Sequence, residues 1–185
     1  MHEVVYRWRR DDGLTLEVLR LHRVGDGYRA QSWCVSADTQ PFAVDYTWEL
    51  DRAWRTRTVA VRVNGSVTRT LSIERRSDVS WSIDGAPRAD LDGCEEVDLS
   101  ITPFCNTLAL LRFGPPPGGA GELIALYVSL PEMTCAPSRQ KYLRLGPSTF
   151  TYIDLGIHDG FEAQLIVDRD GFVRRYEGLF ERVEP

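Results

Sequence analysis

The residues of this chain whose types and spacing could do chemistry lie on either side of Pro103. Asp98 and Thr102 precede it, and Asn106, Thr107 and Arg112 follow. In Val97-Asp98-Leu99-Ser100-Ile101-Thr102 polar and apolar side chains alternate with period two, so Asp98 and Thr102 share the polar face of a strand. Pro103 has no N–H to give to a ladder, and it ends or bends that strand. Two roles suit the group. A buried charge must be paired, so Arg112 can fork onto a carboxylate such as Asp98, and the set can pin the bend as a hydrogen-bonded network. Alternatively, Asn106 and Arg112 can hold a sugar or phosphate head group at the mouth of a groove. The network is the commoner use of such a cluster.

Other constellations reduce to ordinary structure. Gly25-Asp26-Gly27-Tyr28-Arg29-Ala30 fits the glycine string of dinucleotide sites, but Gln31 to Val35 reads as a strand, and without a helix there is no phosphate cradle. Asp90, Asp92, Glu95, Glu96 and Asp98 form an acidic run that lacks the order of a calcium loop, so no metal site is assigned. There is no G-x-S-x-G elbow, and the four cysteines, Cys34, Cys94, Cys105 and Cys135, form no C-x-x-C pair. No catalytic residue and no cofactor is therefore expected. Five tryptophans, Trp8, Trp33, Trp48, Trp54 and Trp81, serve either core packing or an apolar cavity wall whose indole N–H groups meet a head group.

The elements that must position these residues are short strands. Asn64-Gly65, Asp84-Gly85, Asp92-Gly93, Asp159-Gly160 and Asp170-Gly171 supply turns at fairly regular spacing. Thr56 to Val63 and Ser66 to Ile73 read as a hairpin around a two-residue Asn64-Gly65 turn. Phe161 to Val167 and Phe172 to Tyr176 read as another. Leu123 to Leu130 is apolar on both faces, which predicts a central strand and the most buried element. Only Ser138 to Leu145 and Asp51 to Thr56 suggest short helices. The reading is a single all-β domain over residues 1–185, mainly antiparallel: one curved sheet forming a spiral β-roll or half-barrel, with at most one or two short helices.

Composition bounds the rest. The 185 residues are 43% hydrophobic and 26% charged, ordinary globular usage, and a domain of this size forms a core without staples. A net charge of −5 argues against nucleic acid as a partner. No apolar run is long enough for a transmembrane segment, and Met1 to Trp8 lacks a signal-peptide pattern, so the expected location is cytoplasmic, where the cysteines stay reduced.

The stretch Leu91 to Arg112, read as Leu-Asp-Gly-Cys-Glu-Glu-Val-Asp-Leu-Ser-Ile-Thr-Pro-Phe-Cys-Asn-Thr-Leu-Ala-Leu-Leu-Arg, resembles the signature of a bacterial family named for glycolipid binding, roughly dGc-dvD-TPxTNtLpirRL. Tyr46 to Asp51 with Trp54 to Arg57, the Trp81 to Gly85 turn, Gln140-Lys141-Tyr142, Phe161 to Ala163 and Val167 to Val173 resemble it in order along the chain. This sequence departs at Cys105, where the family usually shows Thr, and at Ala109-Leu110-Leu111, where it shows a proline and a further arginine.

The resemblance implies a spiral β-roll enclosing an apolar groove. The leading reading is then a non-catalytic binding protein for an amphipathic, lipid- or glycolipid-like ligand, with Asp98, Phe104, Asn106, Thr107, Arg112, Trp48, Trp81 and Tyr142 as ligand-binding candidates. An enzyme acting on a small hydrophobic substrate through a carboxylate or Cys105, and an interaction protein joined through sheet edges, are the alternatives.

Overall fold

The structure, a computed structural model, describes residues 3–184. Eight strands run through the N-terminal half: β1 (Val4–Arg10), β2 (Thr15–Val24), β3 (Gly27–Ser36), β4 (Phe42–Leu50), β5 (Thr56–Asn64), β6 (Thr68–Ser77), β7 (Ser80–Ile83) and β8 (Ala86–Pro87). A turn of 3-10 helix (Ala89–Leu91), strand β9 (Glu96–Leu99) and the helix α1 (Phe104–Phe113) follow. The chain then lays down β10 (Ala120–Ser129), β11 (Thr134–Arg144), β12 (Thr149–Asp154), β13 (Glu162–Val167), β14 (Val173–Tyr176) and β15 (Phe180–Arg182).

All the strands join one sheet in the order β8-β7-β6-β5-β4-β3-β2-β1-β15-β14-β13-β12-β11-β10-β9. Two meanders are thus stitched by the antiparallel pair β1 and β15. The pairing is antiparallel except between β9 and β10, which run parallel because α1 carries the chain back between them. The edges β8 and β9 do not meet, so the sheet is a curled, open roll. Fully buried Trp8, Trp48, Trp81, Phe104, Leu19 and Leu126 fill it.

The helix lies where the sequence reading placed none. Pro103 is tolerated at a helix start, Leu108 to Arg112 are strong helix formers, and Gly114-Pro115 stops the helix. Residues Phe104 to Leu110 are all buried, so α1 is a core plug with no polar stripe to betray it.

The two suggested helices are absent. Ser138 to Arg144 belongs to β11. Asp51 to Thr56 is a tight turn in which Asp51 Oδ1 accepts the N–H groups of Ala53 and Arg55 at 2.7 and 2.9 Å. The Asn64-Gly65 hairpin has a longer loop than expected, because Asn64 stays in the ladder opposite Thr68. Nor is Leu123 to Leu130 central: β10 is next to the edge strand β9, and Ile124 faces outward.

Candidate functional site

The strand β9 ends at Leu99, and the chain turns through Ser100 to Pro103 into α1. Thr102 Oγ1 accepts the Phe104 N–H at 3.1 Å, which fixes the direction in which the helix starts. Helix α1 then runs back along β9, so its first turn lies beside Asp98 and its last turn beside Glu96. The two ends differ in kind. At the last turn Arg112 pairs with Glu96 and donates to Glu95 O at 3.0 Å. The expected fork of Arg112 onto Asp98 is therefore not formed: seven residues of helix separate Arg112 from Cys105, about 10 Å along the axis.

At the first turn lies a cavity of about 530 Å³. Asp98, Thr102, Cys105 and Asn106 form part of its wall, together with Tyr127, Tyr152, Asp154 and Tyr176 from the C-terminal strands. The N-terminal strands and their turns contribute Arg10, Thr15, Ser36, Asp38 and Phe42. Exposed Arg10, Asp38, His158 and Phe161 mark its rim. The lining mixes apolar side chains, such as Ile101, Leu130 and Phe180, with carboxylates, hydroxyls and phenols.

A chain of hydrogen bonds leads to Asp98. Asn106 Nδ2 donates to Tyr142 Oη at 3.1 Å, Tyr142 Oη to Gln140 Oε1 at 3.2 Å, and Gln140 Nε2 to Asp98 Oδ2 at 2.5 Å. Each donor polarises the next toward the carboxylate. Burial nevertheless raises the Asp98 carboxyl above its ordinary range, and the neighbouring Asp154 adds to the rise.

Asp154 sits opposite Gln140 in the β11–β12 register. It accepts Tyr152 Oη at 3.3 Å, Ser138 Oγ at 3.4 Å and the Gly156 N–H at 2.7 Å. Glycine is required at 156, because a Cβ there would stand 2.5 Å from Ser138 Oγ.

Behind Thr102 lies a third carboxyl. Glu17 is 2% exposed, and its Oε1 accepts Ser32 Oγ and Tyr46 Oη, both at 2.7 Å. Burial raises it, and its Oε2 has no partner among the described residues.

The candidates named from the sequence separate into two sets. Asp98 and Asn106 face the cavity, and Tyr142 holds Asn106 in place. The others lie elsewhere. Thr107 Oγ1 accepts the Val173 N–H at 3.2 Å. Trp48 Nε1 donates to Thr56 Oγ1 at 2.6 Å, and Trp81 Nε1 to Cys94 O at 2.9 Å, so both indoles are used inside the protein. Phe104 packs edge-on against Trp48, with ring centres 5.6 Å apart. Asp154, Tyr127, Tyr152, Tyr176 and Glu17 were not anticipated. For Tyr152 and Asp154 the sequence signal is the alternation Tyr152-x-Asp154 beside Ser138-x-Gln140-x-Tyr142, with the polar side turned inward.

Over residues 5–182 the sequence matches the profile of the family described as "Putative glycolipid-binding". The chain belongs to this family. A solved DUF1089 family protein from Pseudomonas aeruginosa is similar at 31% identity over 91% of this chain and 92% of that one, with a TM-score of 0.82. A β-barrel-like protein of the DUF1849 domain from Brucella abortus shares the fold at 9% identity, with 98% and 95% of the two chains covered and a TM-score of 0.54. No curated protein matches. No helix among the described residues is long and apolar enough to cross a membrane. In this member of the family, the cavity takes Asp98, Thr102 and Asn106 from the family-like stretch, while Thr107 bonds to Val173 and Arg112 pairs with Glu96.

The cysteines follow burial. Cys105 lies against Asp98 with its Sγ 3.7 Å from Leu99 O, and burial, then the nearby carboxylate, push the thiol well up. Cys34 is raised likewise, and Cys94 is pushed up to about 11. None of these three is a ready thiolate at neutral pH, so none offers an activated nucleophile. Half-buried Cys135 is the accessible one. Labelling of the native protein with a thiol reagent, read by peptide mass mapping, is expected to modify Cys135 first and the other three only on unfolding. Early labelling of Cys105 would show that the cavity admits reagent to a thiolate.

Proposed function

We propose that this protein is a non-catalytic carrier that holds one amphipathic, glycolipid-like molecule in the cavity between the two meanders, with residues 1–185 acting as one β-roll domain. The head group lies against Asp98, Asn106, Tyr152 and Asp154. The apolar part runs along Phe42, Ile101, Leu130 and Phe161 toward the rim. Tyr142 positions Asn106, while Phe104, Thr107, Trp48, Trp81 and Arg112 hold the surrounding fold.

The observation that carries the reading is that Asp98, Thr102 and Asn106, from the stretch resembling the family signature, line a cavity of about 530 Å³. That volume lies within the range of roughly 300–1,000 Å³ common to small-molecule sites, and the mixed lining suits a ligand with two chemistries. The free thiols of all four cysteines fit the proposed cytoplasmic location.

The test is native mass spectrometry of the purified protein, followed by denaturation and organic extraction. A bound lipid or glycolipid is expected. The variant Ser129→Trp, which puts an indole on the half-buried Ser129 of the cavity lining, is expected to lose that mass while keeping the melting behaviour of the delipidated wild type. A wild-type protein that carries nothing, and whose melting temperature no added lipid extract raises, would sink the reading.

A further inference from the structure

We propose that the cavity recognises a protonated amine on the head group of its ligand. The proposal rests on the binding reading above and narrows it.

Asp98 and Asp154 flank Gln140: the amide of Gln140 donates to Asp98 Oδ2, and its backbone lies opposite Asp154 in the sheet. The donors on both carboxylates are uncharged, namely an amide, two hydroxyls and a backbone N–H. Two other acids of this chain are paired with arginine, whereas Glu17, behind Thr102, is held by hydroxyls alone. Glu96 takes Arg75 and Arg112, and Asp168 takes Arg182 at 2.8 Å. The cavity pair makes no such ion pair among the described residues. A carboxylate drawn out of water without a counter-charge is unfavourable, and a cation entering from outside would relieve both at once.

The surroundings favour that cation further. Tyr152 contacts Tyr142 and Tyr176 edge-on, with ring centres 5.4 and 5.7 Å apart, and this cluster of phenols stands beside the two acids. Phenol faces attract ammonium groups. The basic groups on the lining are at the rim and already engaged: Arg10 Nε lies 3.3 Å from Asp12, and His158 Nε2 lies 3.4 Å from Tyr127 Oη. A phosphate placed against the inner wall would meet two acids and no base. The amine can come from an amino sugar or from an ethanolamine head group, since both present the same ammonium.

The experiment compares dodecylamine, dodecyl maltoside and dodecyl phosphate, below their micelle concentrations, by calorimetry on the full chain at neutral pH. Dodecylamine is expected to bind about 10-fold or more tighter than the maltoside, with the phosphate weakest. Asp98→Asn and Asp154→Asn are each expected to remove that preference, so that the amine binds no tighter than the maltoside in the same variant. A preference that survives in both variants belongs to the acidic surface and overturns the proposal. Maltoside binding as tightly as the amine overturns it too, with the carrier reading intact. Failure of all three probes to bind would overturn the carrier reading itself. Because the first comparison uses only wild-type protein, a variant that fails to fold leaves it standing. Where the amine is preferred, an alkyl glucosaminide compared with lysophosphatidylethanolamine then assigns it to a sugar or to ethanolamine.

Discussion

Replacing Glu96 by alanine is expected to lower stability by about 3–5 kcal/mol, because it strands two buried guanidinium groups. The Glu96 side chain is 2% exposed, and those of its partners Arg75 and Arg112 are 9% and 12% exposed. Arg112 Nη1 donates to one carboxylate oxygen, and Arg75 Nη2 lies 3.6 Å from it. Thr56 Oγ1 and the Val97 N–H donate to the other oxygen. Arg75 also stacks over Trp81, 4.1 Å from the ring centre, and donates to Thr56 O at 2.6 Å, so it is not free to swing out to water. Burial already lowers the Arg75 guanidinium below its ordinary range, so the loss of its counter-charge falls on a group that is poorly solvated.

For a chain of this length the loss corresponds to a drop in melting temperature on the order of 10 °C. Urea unfolding is expected to show a lower midpoint at unchanged slope. Glu96→Gln, which keeps an acceptor for Thr56 but loses the charge, is expected to fall between the two. A loss under about 1 kcal/mol for the alanine variant would mean that both arginines reach solvent and that the pair is a surface one. The effect should extend to the site. The same short helix carries Arg112 at one end and Asn106 at the other, so loosening its last turn loosens the cavity wall at its first.

The strands were legible from the sequence because their residues obey two simple rules, alternation and turn chemistry. Asp170-Gly171 lies in the loop between β13 and β14 as read, and Asp84-Gly85 joins β7 to β8. What failed has a common cause: elements buried on every side, or polar on the inside. Every residue of α1 from Phe104 to Leu110 is buried and the exposed Leu111 is apolar, so its 3.6-residue period left no contrast between polar and apolar positions. In β11 the contrast exists but is inverted. Ser138, Gln140 and Tyr142 are buried, while Arg139 lies outside with a salt bridge to Glu122. A pattern of polar residues says that a strand has two different faces; it does not say which is turned inward when the interior holds a polar cavity. Arg112 was assigned to Asp98 because both were read on one continuous bend, and the helix between them divides the stretch into a bracing end and a cavity end.

Stability is also expected to fall as the pH rises through the mildly acid range, owing to Glu17 and Asp98. Glu17 is raised from its ordinary value of 4.5, chiefly by burial, and Asp98 from 3.8, by burial and then by Asp154. The sign follows from linkage. Each group holds its proton in the folded state at pH values where the unfolded chain has released it, so the folded state binds more protons. Their contribution is fully present below the unfolded values and begins to fade above about pH 4–4.5. It is lost as the pH passes the raised folded values, with a slope of about 1.4 kcal/mol per pH unit for each group in that window.

Other groups titrate over the same range, so the clean measurement is a difference between proteins. Glu17→Gln keeps an acceptor for Ser32 and Tyr46 and removes the titration. Its stability relative to wild type, from urea unfolding at a series of pH values between 4 and 8, is expected to grow steadily as the pH rises. Near pH 4 the two proteins are expected to be nearly equal, because the wild-type carboxyl is then protonated in both states. A difference that stays flat across the series would show that Glu17 reaches water or a counter-charge. The same series for Asp98→Asn extends the measurement to the cavity, where bound dodecylamine is expected to abolish the difference by supplying the missing charge.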